Sequence, residues 1–260
     1  MKLTDIISKL EELSPIRYAE AWDNVGLLVG NRDKEIERIY IALDATEDVI
    51  KRAVSMDSDL ILTHHPLIFS PLKRITSDDF MGRRLMELIR NDISLYSMHT
   101  NFDVMGMADA AADELGLKQS EVLDVTYEDE VSKEGFGRVG FLPGEMTLEE
   151  CAAYVKERFK LETVCVYGDL DSTVYRVAIL PGSGKSMAKS AIASGADVYI
   201  TGDIGHHEGI DLVAEGLSVI DAGHFGIEKI FIAYMKEYLQ REFPGVTVIT
   251  HPCQGPFRVI

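Results

Sequence analysis

Two adjacent histidines, His64 and His65, close a short apolar run and precede Pro66. Imidazole binds transition metals and also moves protons near neutral pH, so a pair at a strand end invites both kinds of chemistry. Two further sites carry imidazole with carboxylate. His99 is followed four residues on by Asp103, and His224 four residues on by Glu228; the two pairs stand 125 positions apart. A second adjacent pair, His206 and His207, follows Gly202-Asp203. Imidazole plus carboxylate without thiolate suits zinc, iron or manganese with open coordination positions, and five such donors with a bridging carboxylate suit two ions. On extended backbone, neighbouring side chains face opposite ways. His64 and His65 are therefore expected to serve two ions, or one ion and one substrate group.

Those residues need elements to deliver them. Leu60 to Leu62 reads as a buried strand, too short for a helix, that must stop before Pro66. Ile39–Leu43 and Ile93–Ser97 read as further strands, and Glu47–Met56, Met81–Arg90 and Ala108–Leu115 as helices. Strand and helix in alternation predict a mainly parallel sheet with right-handed crossovers. Histidines at strand ends then fall on the carboxyl edge, where open α/β sheets bind ligands. A helix is expected over Thr4–Leu13 with Thr4 as its cap.

The same order recurs in the second half. Tyr175–Leu180 reads as a strand, Lys185–Ala193 as a helix and Asp197–Thr201 as a strand. Each second strand, Asp59–Thr63 and Asp197–Thr201, opens with Asp and closes with Thr. The third strands, Ile93–Ser97 and Ser218–Ala222, both lead to a histidine. This pattern predicts a diverged internal duplication, with one α/β lobe over 1–123 and a second over 124–260. Equivalent rims would then bring His64, His65 and Asp103 to His224 and Glu228. The acidic stretch Lys118–Lys133 reads as a solvated connector, and Thr147 with Glu150 as a capping box for a helix to Lys160.

Other stretches carry competing readings. Asp23 and Asn24, after the single tryptophan Trp22, are either an Asx-type turn with Trp22 as a core anchor or residues lining the site. Gly182-Ser183-Gly184-Lys185 is not a P-loop, because that spacing requires glycine where Ile179 stands. It remains a tight turn opening a helix, either packing or contacting an anion. His206 and His207, starting a helix, are further ligands or contact substrate. His251 has no visible partner and is read as incidental.

Composition narrows the class. The chain has 260 residues, 46% of them hydrophobic, and a formal net charge of −17. That charge weighs against a phosphate-backbone binder, so no nucleic-acid partner is expected. No apolar run approaches membrane-spanning length, and Met1–Leu13 lacks a signal pattern. Cys151, Cys165 and Cys253 are unclustered and odd in number, as in a reduced cytoplasmic protein.

Taken together, Trp22-Asp23-Asn24-Val25-Gly26-Leu27, Thr63-His64-His65-Pro66-Leu67, His99-Thr100-Asn101-Phe102-Asp103, Gly182-Ser183-Gly184, Thr201-Gly202-Asp203 with His206-His207, and Gly223-His224 with Glu228 resemble the GTP cyclohydrolase I type 2 homologue, or NIF-three-like, family. The resemblance spans nearly the whole chain. It implies two related α/β lobes with a dinuclear metal centre in the cleft between them, held by His64, His65, Asp103, His224 and Glu228. It also implies a homohexameric ring, in a short form without the inserted domain many members carry. Two divalent ions are expected, with zinc, iron, manganese and magnesium not separable by ligand type. The activity implied is metal-dependent hydrolysis of a small, nucleotide-like substrate, of the ring-opening kind named for GTP. His99, His206 or His207 would move the proton. The alternative is a non-catalytic metal-binding ring or interaction scaffold.

Overall fold

A computed structural model describes residues 1–257. Its contacts divide the described chain into two compact units, Met1–Phe102 with Phe231–Cys253, and Asp103–Ile230 with 254–257. The units are thus not cut at 123/124. The chain leaves the first unit at 102/103 and returns to it at 230/231.

In chain order, the first unit contains α1 (Leu3–Leu13), β1 (Gly26–Val29), β2 (Arg38–Ala42), α2 (Glu47–Ser55), β3 (Leu60–Thr63), α3 (Phe80–Arg90), β4 (Ser94–Ser97) and the single turn α4 (Thr100–Phe102). Helix α1 buries Leu3, Ile6, Ile7 and Leu10, one face at helical spacing. It starts one residue before Thr4, with Lys2 as its N-cap. The second unit opens with a π-helical turn at Asp103–Met107 and α5 (Ala108–Leu115). It continues through β5 (Lys118–Glu128), β6 (Lys133–Thr147), α6 (Leu148–Phe159), β7 (Cys165–Tyr167), β8 (Thr173–Ser183), α7 (Ala188–Ala193), β9 (Val198–Gly202), α8 (His206–Ala214), β10 (Ser218–Asp221) and α9 (His224–Glu228). Helix α10 (Ile230–Glu242) and β11 (Thr247–Thr250) complete the first unit.

The first sheet has strand order β1-β4-β3-β2-β11. All pairs are parallel except β1 with β4. Leu60, Ile61 and Leu62 of β3 are fully buried, which accounts for a continuous apolar run in a strand covered on both faces. Fully burying each such side chain contributes roughly 1.5–3 kcal/mol. The second sheet runs β5-β6-β8-β9-β10-β7 and is mixed. Only β8-β9-β10 are parallel, while β5-β6, β6-β8 and β10-β7 are antiparallel. The expectation of mainly parallel sheets therefore holds for the first sheet and for the centre of the second. The acidic stretch after Lys118 is no connector but the edge strand β5, hydrogen-bonded to β6 on one side. Charge belongs there, because an exposed edge needs protection from further pairing. The capping box at Thr147 is present: Thr147 Oγ1 accepts from Glu150 N, and the Glu150 carboxylate accepts from Thr147 N.

The two units repeat a backbone device as well as an element order. Asp59 Oδ2 accepts from Glu37 N at 2.8 Å and Arg38 N at 3.0 Å, closing the entry to β2. Its own N–H donates to Arg38 O and its carbonyl accepts from Ser94 N, so one residue ties β2, β3 and β4. Asp197 does the same in the second unit. Its Oδ2 accepts from Tyr175 N at 2.9 Å and Arg176 N at 2.7 Å, its N–H donates to Arg176 O and its carbonyl accepts from Ser218 N. Duplication explains why both strands begin with aspartate.

Hydrogen bonds to a charged acceptor contribute about 1.5–3 kcal/mol. Asp59→Ala should therefore lower stability by about 2 kcal/mol, and Asp197→Ala by less, since its exposed strand entry can turn to water. Urea unfolding followed by circular dichroism checks this; equal midpoints for Asp59→Ala and wild type would refute it.

Candidate metal centre

Register decides which residues meet at the carboxyl edge of each sheet. In the first unit Ala42 pairs with Thr63 and Thr63 with Ser97. Two residues further on, Asp44, His65 and His99 therefore run level. The bend after Thr63 is held by Thr63 Oγ1 donating to His65 O at 2.9 Å and His65 N donating to Leu43 O at 2.9 Å. Because β3 ends at Thr63, the alternation of an extended strand no longer governs the two histidines. Their rings do not diverge as expected. The His64 and His65 centroids are 4.9 Å apart, and His99 lies 5.2 Å from His64 and 5.5 Å from His65. One nitrogen from each of the three falls within 4.8 Å of the others.

The same bonding choice is made at every one of these rings. His64 Nδ1 donates to Met98 O at 2.7 Å, His65 Nδ1 to Asp44 Oδ1 at 2.9 Å and His99 Nδ1 to Asp23 Oδ1 at 2.9 Å. Carbonyl and carboxylate oxygens only accept, so Nδ1 carries the proton and the lone pair sits on Nε2. Orienting a ring in this way is what metal-binding histidines require. Donor chemistry and placement both fit a divalent cation.

The stretch that delivers His99 is bonded throughout. Thr100 donates to Asp23 Oδ2 from its N at 3.0 Å and from its Oγ1 at 2.5 Å. Burial would raise the Asp23 pKa, yet the bonds from His99 and Thr100 outweigh it and bring it down to about 2. Asn101 Oδ1 accepts from His99 N at 3.0 Å, and its Nδ2 donates to Ser14 O at 2.8 Å. Phe102 is fully buried against Phe231 and Tyr234. Asp103 then begins the π-helical turn, a feature frequent at functional sites.

The second unit builds its rim by the same register. Thr201 pairs with Asp221, which sets Asp203 beside the residues leading into α9. His224 Nδ1 donates to Asp203 Oδ2 at 2.7 Å, and His224 Nε2 is 3.0 Å from Glu228 Oε2, one helical turn on. Burial opposes a charged imidazole here, but Glu228 and Asp203 together raise its pKa to about 9. A site that stabilises a proton between two carboxylates also suits a metal cation. Gly182 leaves the room: its φ is +79°, and a Cβ there would stand 2.5 Å from Glu228 Oε1 and 3.8 Å from His224 Nε2.

The remaining expected residues lie elsewhere or act differently. His206 and His207 are exposed in the first turn of α8, outside the imidazole group found among the described residues. Gly182 and Ser183 end β8, and Gly184, whose N donates to Gly202 O, is the N-cap of a 3₁₀ turn that leads into the six-residue α7, so the glycine turn does open a helix, a short one. Asn24 Nδ2 donates to Ile68 O, while Trp22 is 56% exposed and so is no core anchor. His251 does have partners, Tyr40 Oη at 3.0 Å and Asp48 at 3.8 Å. Asp44 and Asp203, each fixing an imidazole, were not singled out as site residues from sequence. Strand register was the signal for both.

The chain matches the Duf34/NIF3 (NGG1p interacting factor 3) family over residues 1–254. It belongs to that family. A Clostridium perfringens relative called GTP cyclohydrolase 1 type 2 homolog is 39% identical over all of both chains. The crystal structure of a Bacillus cereus protein related to NIF3 superposes with TM-score 0.91 at 26% identity, covering 100% of this chain and 99% of that one. Reduced HcgD from Methanocaldococcus jannaschii gives 0.83 at 35% identity, covering 96% and 97%. A fold shared across such distances fits the duplicated α/β plan. Among the described residues, no helix of this family member is long and apolar enough to cross a membrane.

Removing a carboxylate that orients a metal-binding imidazole typically weakens metal affinity ten- to a hundredfold. Asp44→Ala should show a loss in that range for zinc by calorimetry, with an unchanged circular dichroism spectrum. Gly182→Ala should weaken zinc binding too, because its Cβ must displace the Glu228 carboxylate. Wild-type affinity in either variant would remove that residue from the site.

Proposed function

We propose that His64, His65, Asp103, His224 and Glu228 hold two divalent ions, and that the protein is a hydrolase for a small nucleotide-like substrate. The observation that carries this reading is the shared orientation of the imidazoles, each with its Nδ1 donating to an oxygen. Histidines kept only for packing have no need of a common orientation. The family name supports the substrate class, since relatives are called GTP cyclohydrolase 1 type 2 homolog. Two ions, rather than one, are supported by the number of donors: five exceed the three that an open zinc site takes from protein. Glu228 is assigned the bridging role, since a carboxylate can offer one oxygen to each ion.

Bound divalent ions supply Lewis-acid polarisation and make water acidic enough to attack near neutral pH. The chain's own contribution is orientation and proton handling. Asp23 keeps the His99 ring fixed with its Nδ1 protonated, so His99 Nε2 can take a proton from water or return it to a leaving group. His206 and His207, exposed on α8, remain the second assignment for that role. The scattered free thiols support a cytoplasmic setting, and resemblance supports assembly as a hexamer.

The competing reading, a metal-binding scaffold without turnover, is separated by assay. Metal-loaded protein should release formate from GTP or hydrolyse a phosphoester, and His64→Ala should lower that rate at least a hundredfold. Metal-loaded wild type with no turnover above His64→Ala would favour the scaffold. Elemental analysis should find two ions per chain in wild type and a deficit at both positions in Glu228→Gln. Two full ions in that variant would exclude a bridging Glu228.

A further inference from the structure

Beside the imidazole group, the first unit presents two aromatic rings to solvent. Trp22 and Phe69 are each 56% exposed, yet their ring centroids lie 5.7 Å apart. Trp22 also meets the His99 ring edge-on at 6.0 Å. Isolated exposed apolar side chains are ordinary. Paired aromatic faces adjoining convergent polar groups mark a ligand site instead.

Both rings are held in place by their neighbours. Asp23, next to Trp22, accepts from His99 and from Thr100 N and Oγ1. Asn24 Nδ2 donates to Ile68 O at 2.5 Å, which ties the residue before Phe69 to the segment carrying Trp22. A surface fixed before binding loses little conformational entropy when occupied. Its size also limits the occupant. Aromatic side chains bury about 150–250 Å² each, so two half-exposed rings offer far less than the roughly 800 Å² per partner of a stable protein interface. The seat suits a small ligand.

We propose that Trp22 and Phe69 form a stacking seat for a planar heteroaromatic ring of nucleobase type, set against the edge of His99. This names the substrate class for the hydrolase reading above and rests on that reading only for calling the ligand a substrate. Stacking is tolerant of ring identity, since every base has a π-face. The seat therefore selects for a ring, and the polar groups around His99 select among rings.

Trp22 is the single tryptophan in the chain, so its fluorescence reports on this seat alone. Guanosine, GTP and ribose 5-phosphate are titrated into the metal-free and zinc-loaded protein, with excitation selective for tryptophan. Guanosine and GTP should change the emission saturably, and ribose 5-phosphate should not. By equilibrium dialysis, Phe69→Ala should weaken guanosine binding by about five- to a hundredfold, the range of one base–aromatic stack. Zinc stoichiometry should stay the same, and Trp22→Phe should keep most of the affinity. No saturable change with guanosine or GTP in either metal state would overturn the seat. So would a Phe69→Ala variant that binds guanosine as wild type does while sedimenting as a smaller assembly, which would assign the rings to contact with a second copy. Guanosine binding sensitive to Phe69→Ala without any turnover keeps the seat and removes the hydrolase. Turnover of ribose 5-phosphate with no guanosine binding does the reverse.

Discussion

One hydrogen bond, made four times, orients the imidazoles of this chain. At His64, His65, His99 and His224 the Nδ1–H is donated to an oxygen acceptor. The acceptors differ: a main-chain carbonyl for the buried His64 and a carboxylate for each of the others. A carbonyl suits the ring with no exposure, because burying a second charge there would cost far more than an extra neutral bond contributes. Where the rim meets water, aspartate serves, and its charge adds to the basicity of Nε2. Much of the surrounding sequence exists to supply those oxygens at the correct height.

Parallel strands supply that height. In both units the residues of interest stand just past the carboxyl ends of paired strands, where register sets which side chains are level. Asp59 and Asp197 tie three strands each at the opposite edge, so the register is fixed far from the site it serves. This division of labour, one edge holding and the other binding, is common to open α/β sheets.

Much of this was legible in the sequence, and the reasons it failed elsewhere are physical. Buried parallel strands announce themselves as unbroken apolar runs, so Leu60–Leu62 and Val198–Ile200 were plain, and the repeated aspartates before them pointed to duplication. The capping box at Thr147 is a local device and was equally visible. Three features were not. Strand β5 hid behind its acidity, because an edge strand needs solubility more than apolar alternation. The convergence of His64 with His65 contradicted the strand rule, which had lapsed one residue earlier at Thr63. The Asx-type turn at Asp23-Asn24 left Trp22 readable as a core anchor, whereas its ring is exposed beside Phe69, a contact between segments that no local pattern shows.

The duplication also explains an asymmetry in the donors. At the rim of the first unit His65 and His99 run level; in the second, Asp203 stands at the position corresponding to His65, beside His224. Each rim pairs imidazole with carboxylate, Asp44 with His65 in the first and Asp203 with His224 in the second. Gly182 belongs to the same account. A left-handed backbone with no Cβ lets β8 pass beside the Glu228 carboxylate, so the strand next to that side chain provides its space.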